Sequence, residues 1–218
     1  MNIKVFLADD HPVVRNGLRF LLEEQKDLLI VGEASDGREA VEKVRRLQPD
    51  IVVMDIAMPE LNGIDATQKI LESRVSAKII MLSIYATNEH IVRSLHAGAK
   101  GYLLKGSAGQ EILEAIYTVN NGKRYLSREI AESVIDNYMY DDKRLHDSPI
   151  DSLSGREKEI LQLVVEGKTS ADIAKIIFIS PKTVETYRSR MMRKLGVSNI
   201  PSLVKIAVTY GITDINIW

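Results

Sequence analysis

Five short apolar runs recur at similar intervals through the first half of the chain, separated by stretches with helical spacing. Near-continuous apolar runs are typical of parallel strands that helices cover on both faces. Strands alternating with amphipathic helices indicate repeated βαβ units, so this half is predicted to form a doubly wound α/β domain with five parallel strands. The runs are Ile3–Ala8, Leu28–Ala34, Ile51–Met54, Lys78–Ser83 and Gly101–Leu104.

Local signals support the intervening helices. Pro12 suits the first turn of a helix, where its missing N–H costs nothing. Asp36 and Glu39 have the spacing of a capping box at the start of the next helix. The predicted helices lie near residues 12–24, 36–47, 63–73, 88–97 and 108–121.

Polar side chains stand where four of the five runs end. Asp9 and Asp10 follow the first run and Asp55 follows the third, while Ser83 ends the fourth and Lys105 follows the fifth. The carboxyl ends of parallel strands share one crevice at the edge of an open sheet. We therefore expect three carboxylates, one hydroxyl and one ammonium group to meet in a single site.

These groups have complementary chemistry. Neighbouring carboxylates repel each other unless a cation neutralises them, and carboxylate oxygens are ligands that Mg²⁺ prefers. A carboxylate can also attack phosphorus and form an acyl phosphate. Lys105 and Ser83 could then stabilise the phosphoryl oxygens. An aspartate after a strand more often caps the next helix, but the combined set favours phosphoryl acceptance by Asp55.

The end of the chain carries only helical signals. Ser154 with Glu157 forms a capping box before an apolar stripe, and Ser180-Pro181 starts a later helix. This region is predicted to be an all-α four-helix domain with a helix-turn-helix from Ala171 to Arg190. The predicted organisation is a first domain over residues 1–121, a linker with one helix over residues 122–151, and the helical domain over residues 152–218.

Charge divides unevenly between these regions. Residues 1–121 carry 14 Lys and Arg against 17 Asp and Glu, whereas residues 152–218 carry 10 against 6. Such a split suggests that the second domain meets a polyanion, although chance accounts for it equally well. In the second helix of the motif, Glu185, Thr186 and Ser189 have the spacing to face base edges. The remaining predicted DNA contacts, mainly to phosphates, are Lys182, Thr183, Tyr187, Arg188, Arg190, Arg193 and Lys194.

Composition excludes several classes of protein. There is no cysteine, which removes disulfides and thiolate zinc sites. No apolar run is long enough to cross a bilayer, and the chain passes from Met1 straight into a strand pattern rather than a signal peptide. We therefore expect a soluble, cytoplasmic protein without a membrane partner.

The first domain resembles the receiver domain of two-component response regulators, which has a flavodoxin-like fold. The resemblance covers residues 3–119 and rests on Asp9-Asp10-His11-Pro12, Val53–Pro59, Asn62-Gly63, Ser83 and Ala97–Lys105. It implies that Asp55 receives a phosphoryl group from a histidine kinase.

The same resemblance implies further roles. Asp10, Asp55 and the backbone carbonyl of Ala57 would bind Mg²⁺, with Asp9 acting partly through water. Ser83 would turn toward the phosphoryl group on activation and draw Tyr102 inward. Lys105 would bind a phosphoryl oxygen.

The second domain closely resembles the LuxR-type helix-turn-helix. The matching segments are Leu153–Leu161, Glu166–Lys168, Ile173-Ala174, Ile179–Tyr187 and Lys194–Val197. The family often has Pro where Gly155 stands and His where Tyr187 stands. Both domains together resemble the NarL/FixJ class of response regulators.

This resemblance implies a transcription factor, not an enzyme, that dimerises when phosphorylated and binds double-stranded DNA at two half-sites, as in an inverted repeat. One alternative is a DNA-binding regulator with an idle receiver. Another is an aspartyl-phosphate phosphatase, but such enzymes usually carry an acid two residues after the nucleophile, where Ala57 stands.

Overall fold

The computed structural model describes residues 2–107, 109–140 and 148–213, apart from the side chains of residues 136–140. The chain divides into two compact units, Met1–Asp142 and Lys143–Trp218. The predicted linker 122–151 therefore falls on both units, and its residues 141–147 lie outside the described residues. Residues 214–218 at the end of the predicted second domain also lie outside them.

The first unit is a parallel sheet covered by helices on both faces. The strands are β1 Ile3–Ala8, β2 Leu28–Ala34, β3 Ile51–Asp55, β4 Lys78–Ser83, β5 Gly101–Leu104 and β6 Tyr125–Leu126. They follow the order β2-β1-β3-β4-β5-β6 in the sheet, with every neighbouring pair parallel. The helices are α1 Pro12–Glu23, α2 Gly37–Leu47, α3 Gly63–Glu72, α4 Asn88–His96, α5 Gly109–Asn120 and α6 Arg128–Tyr140.

The predicted fold class is confirmed, but the predicted count of five strands is wrong, because the sheet has six. The additional strand, β6, pairs Tyr125 with Gly101 and Leu126 with Tyr102. The amide of Tyr125 also donates to the carbonyl oxygen of Lys100 at 3.0 Å. Two residues are too few to produce a recognisable apolar run, and so tertiary pairing with β5 defines this strand.

Two apolar layers lie on opposite faces of the sheet. One layer contains Phe6, Val52 and Met54, and the other contains Val5 and Val53. Every residue of β3 is buried, as expected for a central strand. This burial fixes the carboxyl end of β3, where Asp55 lies.

A close backbone approach holds the segment after β3. A Cβ atom on Gly63 would lie 1.8 Å from the carbonyl oxygen of Asp55, so only glycine fits at this position. The Gly63 amide donates to the Ile56 carbonyl oxygen at 2.8 Å, and the Asn62 side chain caps α3 by accepting from the Asp65 amide. The start of α3 thus supports the strand end that carries Asp55.

The second unit contains four α-helices and one short 3₁₀ helix within residues 148–213. Ser154 and Glu157 form the predicted capping box, and Thr169 and Asp172 form a second capping box at the start of the next helix. The elements are the 3₁₀ helix Pro149–Ser152, α7 Gly155–Val165, α8 Ser170–Ile176, α9 Pro181–Lys194 and α10 Ile200–Thr209.

The helix-turn-helix consists of α8, a short turn and α9. Ile173, Ala174, Val184 and Met191 are buried in the core that joins these helices. In the turn, Phe178 has a φ of 56° and is 93% exposed. Across the described parts of both units, no helix is long and apolar enough to span a bilayer.

Candidate functional site

The ends of three strands bring the predicted acidic site together. Asp9 follows β1, Asp55 is the last residue of β3, and Lys105 follows β5. The ammonium nitrogen of Lys105 lies 2.8 Å from Asp55 Oδ2 and 2.9 Å from Asp9 Oδ2. Residues almost one hundred positions apart therefore share one charge cluster, as the strand-end pattern predicts.

Burial dominates the electrostatics of this cluster. Asp9 and Asp55 are almost fully buried. Burial, reinforced by the Asp9 carboxylate, raises the pKa of Asp55 to about 7, although Lys105 opposes the rise. Burial also disfavours the charge of Lys105, but the two carboxylates outweigh it and raise the pKa of its ammonium group.

The cluster has the composition of a cation site. One ligand atom from each of Asp9, Asp10, His11 and Asp55 lies within 4.8 Å of the others. Asp9 Oδ2 and Asp10 Oδ1 are buried, and each lies beside a nitrogen, Lys105 Nζ at 2.9 Å and His11 Nδ1 at 2.6 Å. Oxygen ligands in this number suit a hard divalent ion such as Mg²⁺, which keeps several waters. The residues present therefore fit the metal.

His11 also belongs to this cluster, although it was not among the predicted site residues. Its Nδ1 lies 2.6 Å from Asp10 Oδ1 and 3.4 Å from Asp9 Oδ1. Its amide also donates to Asp9 Oδ1 at 2.8 Å. No histidine pair in the sequence has ligand spacing, and so only the position of His11 directly after two aspartates could have indicated it.

Arg15, on α1, stabilises the backbone at the carboxyl end of β1. Arg15 donates to the carbonyl oxygen of Asp9 at 2.6 Å, and its Nε lies 3.4 Å from Glu33 on β2. The Asp9 backbone is thus tied to a neighbouring strand as well as to β1. This fixed backbone keeps the Asp9 carboxylate beside Lys105.

The other predicted site residues surround the cluster. Ser83 is fully buried at the end of β4, and its Oγ accepts a hydrogen bond from the Tyr85 amide at 3.0 Å. Tyr102 on β5 is fully buried, and its hydroxyl donates to the Tyr85 carbonyl oxygen at 2.8 Å. Burial raises the pKa of Tyr102 well above its usual value, so this hydroxyl stays protonated. Ala57 is half-buried, two residues after Asp55.

The second candidate site lies on α9. Six of the ten predicted DNA contacts line one open concave surface: Lys182, Glu185, Thr186, Ser189, Arg190 and Arg193. The guanidinium carbon of Arg190 lies 5.8 Å from the centre of the half-buried Tyr187 ring. This surface combines three cations with side chains that can donate and accept hydrogen bonds, as a base-reading helix requires.

The remaining predicted contacts have partners inside the unit. Arg188 donates to the Ser170 hydroxyl at 2.9 Å and lies 3.2 Å from Glu185 Oε1. The Ser170 hydroxyl also donates to Glu185. These bonds fix the Glu185 carboxylate at the junction of α8 and α9.

The contacts of Lys194 differ most from the prediction that this residue binds DNA. Its ammonium group donates to Glu157 Oε2 at 2.6 Å and to the Ser152 carbonyl oxygen at 3.0 Å. Glu157 itself is only 1% exposed. Lys194 therefore joins the end of α9 to the start of α7. Thr183, at the other end of α9, has its hydroxyl 2.8 Å from that of Ser180.

Comparisons with known proteins identify the families to which the two units belong. Residues 5–117 match the family described as response regulator receiver domain, and residues 151–207 match the bacterial regulatory proteins of the luxR family. Response regulator UvrY of Escherichia coli K12 is 40% identical, with 97% of this chain and 96% of UvrY covered. The oxygen regulatory protein NreC of Staphylococcus haemolyticus is 38% identical, covering 97% of this chain and all of NreC. A solved complex of the response regulator RcsB with DNA superposes with a TM-score of 0.59 at 27% identity, covering 96% of this chain and 99% of that chain.

Proposed function

Because the chain belongs to the NarL/FixJ class of two-component response regulators, we propose that a histidine kinase phosphorylates Asp55 and thereby controls DNA binding. The protein is a DNA-binding transcription regulator and not an enzyme. The observation that carries the proposal is the contact of one half-buried ammonium group, that of Lys105, with the carboxylates of Asp55 and Asp9.

The transfer step is a substitution at phosphorus. A carboxylate oxygen of Asp55 forms a bond to phosphorus while the bond from phosphorus to the kinase imidazole nitrogen breaks, and the leaving imidazole is protonated. Such transfers depend mainly on positioning and charge stabilisation rather than on further covalent steps. Lys105, already beside Asp55, neutralises a phosphoryl oxygen, and the Ser83 hydroxyl donates to another.

The acidic cluster accounts for the expected metal requirement. We assign Asp10, Asp55 and the backbone carbonyl of Ala57 as Mg²⁺ ligands, with Asp9 acting partly through water. The convergence of carboxylate oxygens from Asp9, Asp10 and Asp55 within 4.8 Å of one another supports this assignment. Bound Mg²⁺ supplies charge neutralisation for the phosphoryl oxygens. Tyr102 acts as the residue that reports phosphorylation to the face of α4 and β5.

DNA binding belongs to α9. The side chains on its concave surface would enter the major groove, with Glu185, Thr186 and Ser189 at base edges and the cations at phosphates. Arg188, Tyr187 and Thr183 would contact the backbone or rim. Lys194 is the exception, because its ammonium group binds the buried Glu157, whereas the Glu185 partner of Arg188 is exposed.

The proposed assembly is a dimer formed on phosphorylation. Each copy would bind one half-site of an inverted repeat, with the half-sites about one helical turn apart. Residues 1–121 would receive the phosphoryl group, residues 122–151 would link the domains, and residues 152–218 would bind DNA. The protein would act in the cytoplasm, where its DNA and the kinase's phosphorylated domain meet.

The phosphoacceptor is tested by Asp55→Asn, with Asp50→Asn as the matched control. Asp50 precedes the amino end of β3, where it accepts a hydrogen bond from the Lys4 amide at 2.8 Å, far from the acidic cluster. Incubated with Mg²⁺ and acetyl phosphate, the wild type and Asp50→Asn are expected to gain one phosphoryl group in intact-protein mass spectra, and Asp55→Asn none. Uptake by Asp55→Asn at the wild-type rate would refute the assignment.

The DNA surface is tested by Arg190→Ala, with the exposed Lys205→Ala on α10 as control. Loss of one phosphate contact should weaken DNA binding and lower the slope of log affinity against log salt by about one. Fluorescence anisotropy on genomic DNA fragments measures both quantities. If log affinity falls with log salt at the same slope for Arg190→Ala and the wild type, this surface does not bind DNA.

A further inference from the structure

Tyr85 connects the two proposed switch residues through its backbone. Its amide donates to Ser83 Oγ at 3.0 Å, and its carbonyl oxygen accepts from the Tyr102 hydroxyl at 2.8 Å. Ser83 and Tyr102 lie on neighbouring strands, β4 and β5, and both are fully buried. The position of one peptide segment therefore sets the orientation of both hydroxyl groups.

A histidine on α4 holds that segment. The rings of Tyr85 and His90 are stacked, with centroids 4.5 Å apart and planes inclined by 10°. His90 is 2% exposed, and its Nδ1 lies 2.5 Å from the Thr87 hydroxyl at the N-cap of α4. The Thr87 side chain makes no capping hydrogen bond to the backbone of α4, and its hydroxyl is hydrogen-bonded to the His90 ring instead. The stack is thus anchored at the start of α4.

We propose that His90 is a positioning residue for phosphoryl binding, because its stacking on Tyr85 fixes the Ser83 hydroxyl and keeps Tyr102 in its inward position. This inference rests on the proposed role of Asp55 as phosphoacceptor. It adds a residue from α4, outside the strand-end cluster, to the machinery of the site.

The hydrogen-bond directions explain the effect. A serine hydroxyl has one hydrogen to donate and two lone pairs to accept. Because Ser83 Oγ accepts from the Tyr85 amide, that bond does not use its hydrogen, which can be donated to a phosphoryl oxygen on Asp55. Without the His90 ring, the Tyr85 segment gains freedom, and both hydroxyl groups must be ordered when the phosphoryl group binds. Binding then becomes weaker, since ordering costs free energy.

The test measures the affinity for beryllofluoride, a phosphoryl mimic, with Mg²⁺ and the full-length protein. Bound and free beryllofluoride are resolved by ¹⁹F NMR. His90→Leu removes the ring, His90→Phe restores a flat ring that can stack, and Thr87→Val removes only the hydroxyl that anchors it. Ser94→Ala is the matched control, because Ser94 is a fully buried residue one turn further along α4 whose hydroxyl makes no hydrogen bond.

Aromatic pairs contribute enough to change an equilibrium by about two- to tenfold. We expect His90→Leu to raise the dissociation constant by about that factor, Thr87→Val to raise it less, and His90→Phe and Ser94→Ala to match the wild type. If His90→Leu does not fold, Thr87→Val carries the test, because it leaves the ring in place and makes no large cavity.

The outcomes distinguish failure of the positioning role of His90 from failure of the proposed function of Asp55. If the wild type and Ser94→Ala do not bind beryllofluoride, the proposed function of Asp55 fails. If they bind it and the folded His90 and Thr87 variants bind it equally well, the positioning role of His90 is refuted. If His90→Phe is as weak as His90→Leu, stacking is not the cause.

Discussion

Replacing Lys194 with methionine distinguishes a residue that stabilises the helical unit from one that binds DNA. The sequence places Lys194 among the cations of the recognition helix, whereas the structure joins its ammonium group to Glu157 at 2.6 Å. Methionine keeps most of the apolar side chain and removes the charge. Glu157 is then left buried without its cation.

The expected loss of stability follows from what remains around Glu157. Removing one partner of a buried ion pair costs about 3–5 kcal/mol in general. Here the Lys194 side chain is 35% exposed, and the Ser154 amide and hydroxyl still donate to Glu157 Oε2 at 2.8 Å and 3.0 Å. Solvent and these two remaining bonds reduce the cost, so we expect a loss of about 1–3 kcal/mol.

The loss should depend on pH in a defined direction. Burial alone would raise the pKa of Glu157, but hydrogen bonds from Lys194 and Ser154 outweigh it and lower the pKa below the usual 4.5. A lowered pKa in the folded state means that the ionised carboxylate stabilises the fold above pH 4.5. This contribution is lost as the pH falls through the folded-state pKa. The difference in the free energy of unfolding between wild type and Lys194→Met should therefore become smaller at acidic pH.

Two assays on the full-length protein decide between the roles. Urea unfolding followed by hydrogen-exchange mass spectrometry reports the free energy of unfolding for peptides of α7 and α9, with the exposed Lys205→Met as control. DNA titrations at several salt concentrations report phosphate contacts. A Lys194→Met variant of unchanged stability, with a salt slope reduced as in Arg190→Ala, would refute the structural role.

Three other perturbations give defined outcomes. Gly63→Ala should displace the Asp55 backbone carbonyl, because the added Cβ would lie 1.8 Å from its oxygen. We therefore expect a lower thermal unfolding temperature and reduced phosphoryl uptake, and a variant with the stability and uptake of the wild type would contradict this. Burial, with the nearby Arg93, lowers the pKa of His90 to about 4. Since the unfolded histidine takes up a proton near pH 6.5 and the folded one does not, the contribution of His90 to the stability of the first unit should fall by about 2 kcal/mol between pH 7 and pH 5. The raised pKa of Asp55 acts in the opposite direction over this range, so the His90 contribution is measured by urea unfolding as the difference between wild type and His90→Phe, and a difference that does not change with pH would contradict it. Phe178→Asn should stabilise the second unit by about 0.5–1 kcal/mol, because asparagine tolerates a φ of 56° and the exposed phenylalanine ring makes few packing contacts. Calorimetry measures this change, and a loss of stability would show that the ring makes a contact that the fold needs.

Much of the fold could be predicted because it depends on local periodicity. Apolar runs fix the strands, and capping residues such as Ser154 and Thr169 fix helix starts within a few positions. The strand β6 could not be predicted, since two residues carry no period and only pairing with β5 defines them. The position of α6 also depends on tertiary packing, because Ile130 of this helix is buried in the core of the first unit.

The acidic site was predictable for a different reason. Parallel topology brings strand ends together, so Asp9, Asp55 and Lys105 meet whatever the details of packing. Contacts between side chains of separate elements carry no such signal. The stack of Tyr85 on His90 and the pairing of Lys194 with Glu157 depend on rotamers and helix placement, which only the folded chain specifies.

Genome-wide DNA occupancy with and without beryllofluoride tests the central claim most directly. Purified wild-type protein, incubated with Mg²⁺ and fragments of its own genome, should occupy a discrete set of inverted-repeat sites more strongly when beryllofluoride is present. Asp55→Asn should show no such gain. If the wild type and Asp55→Asn occupy the same sites equally, with or without beryllofluoride, the receiver does not control the DNA-binding helix and the account is wrong.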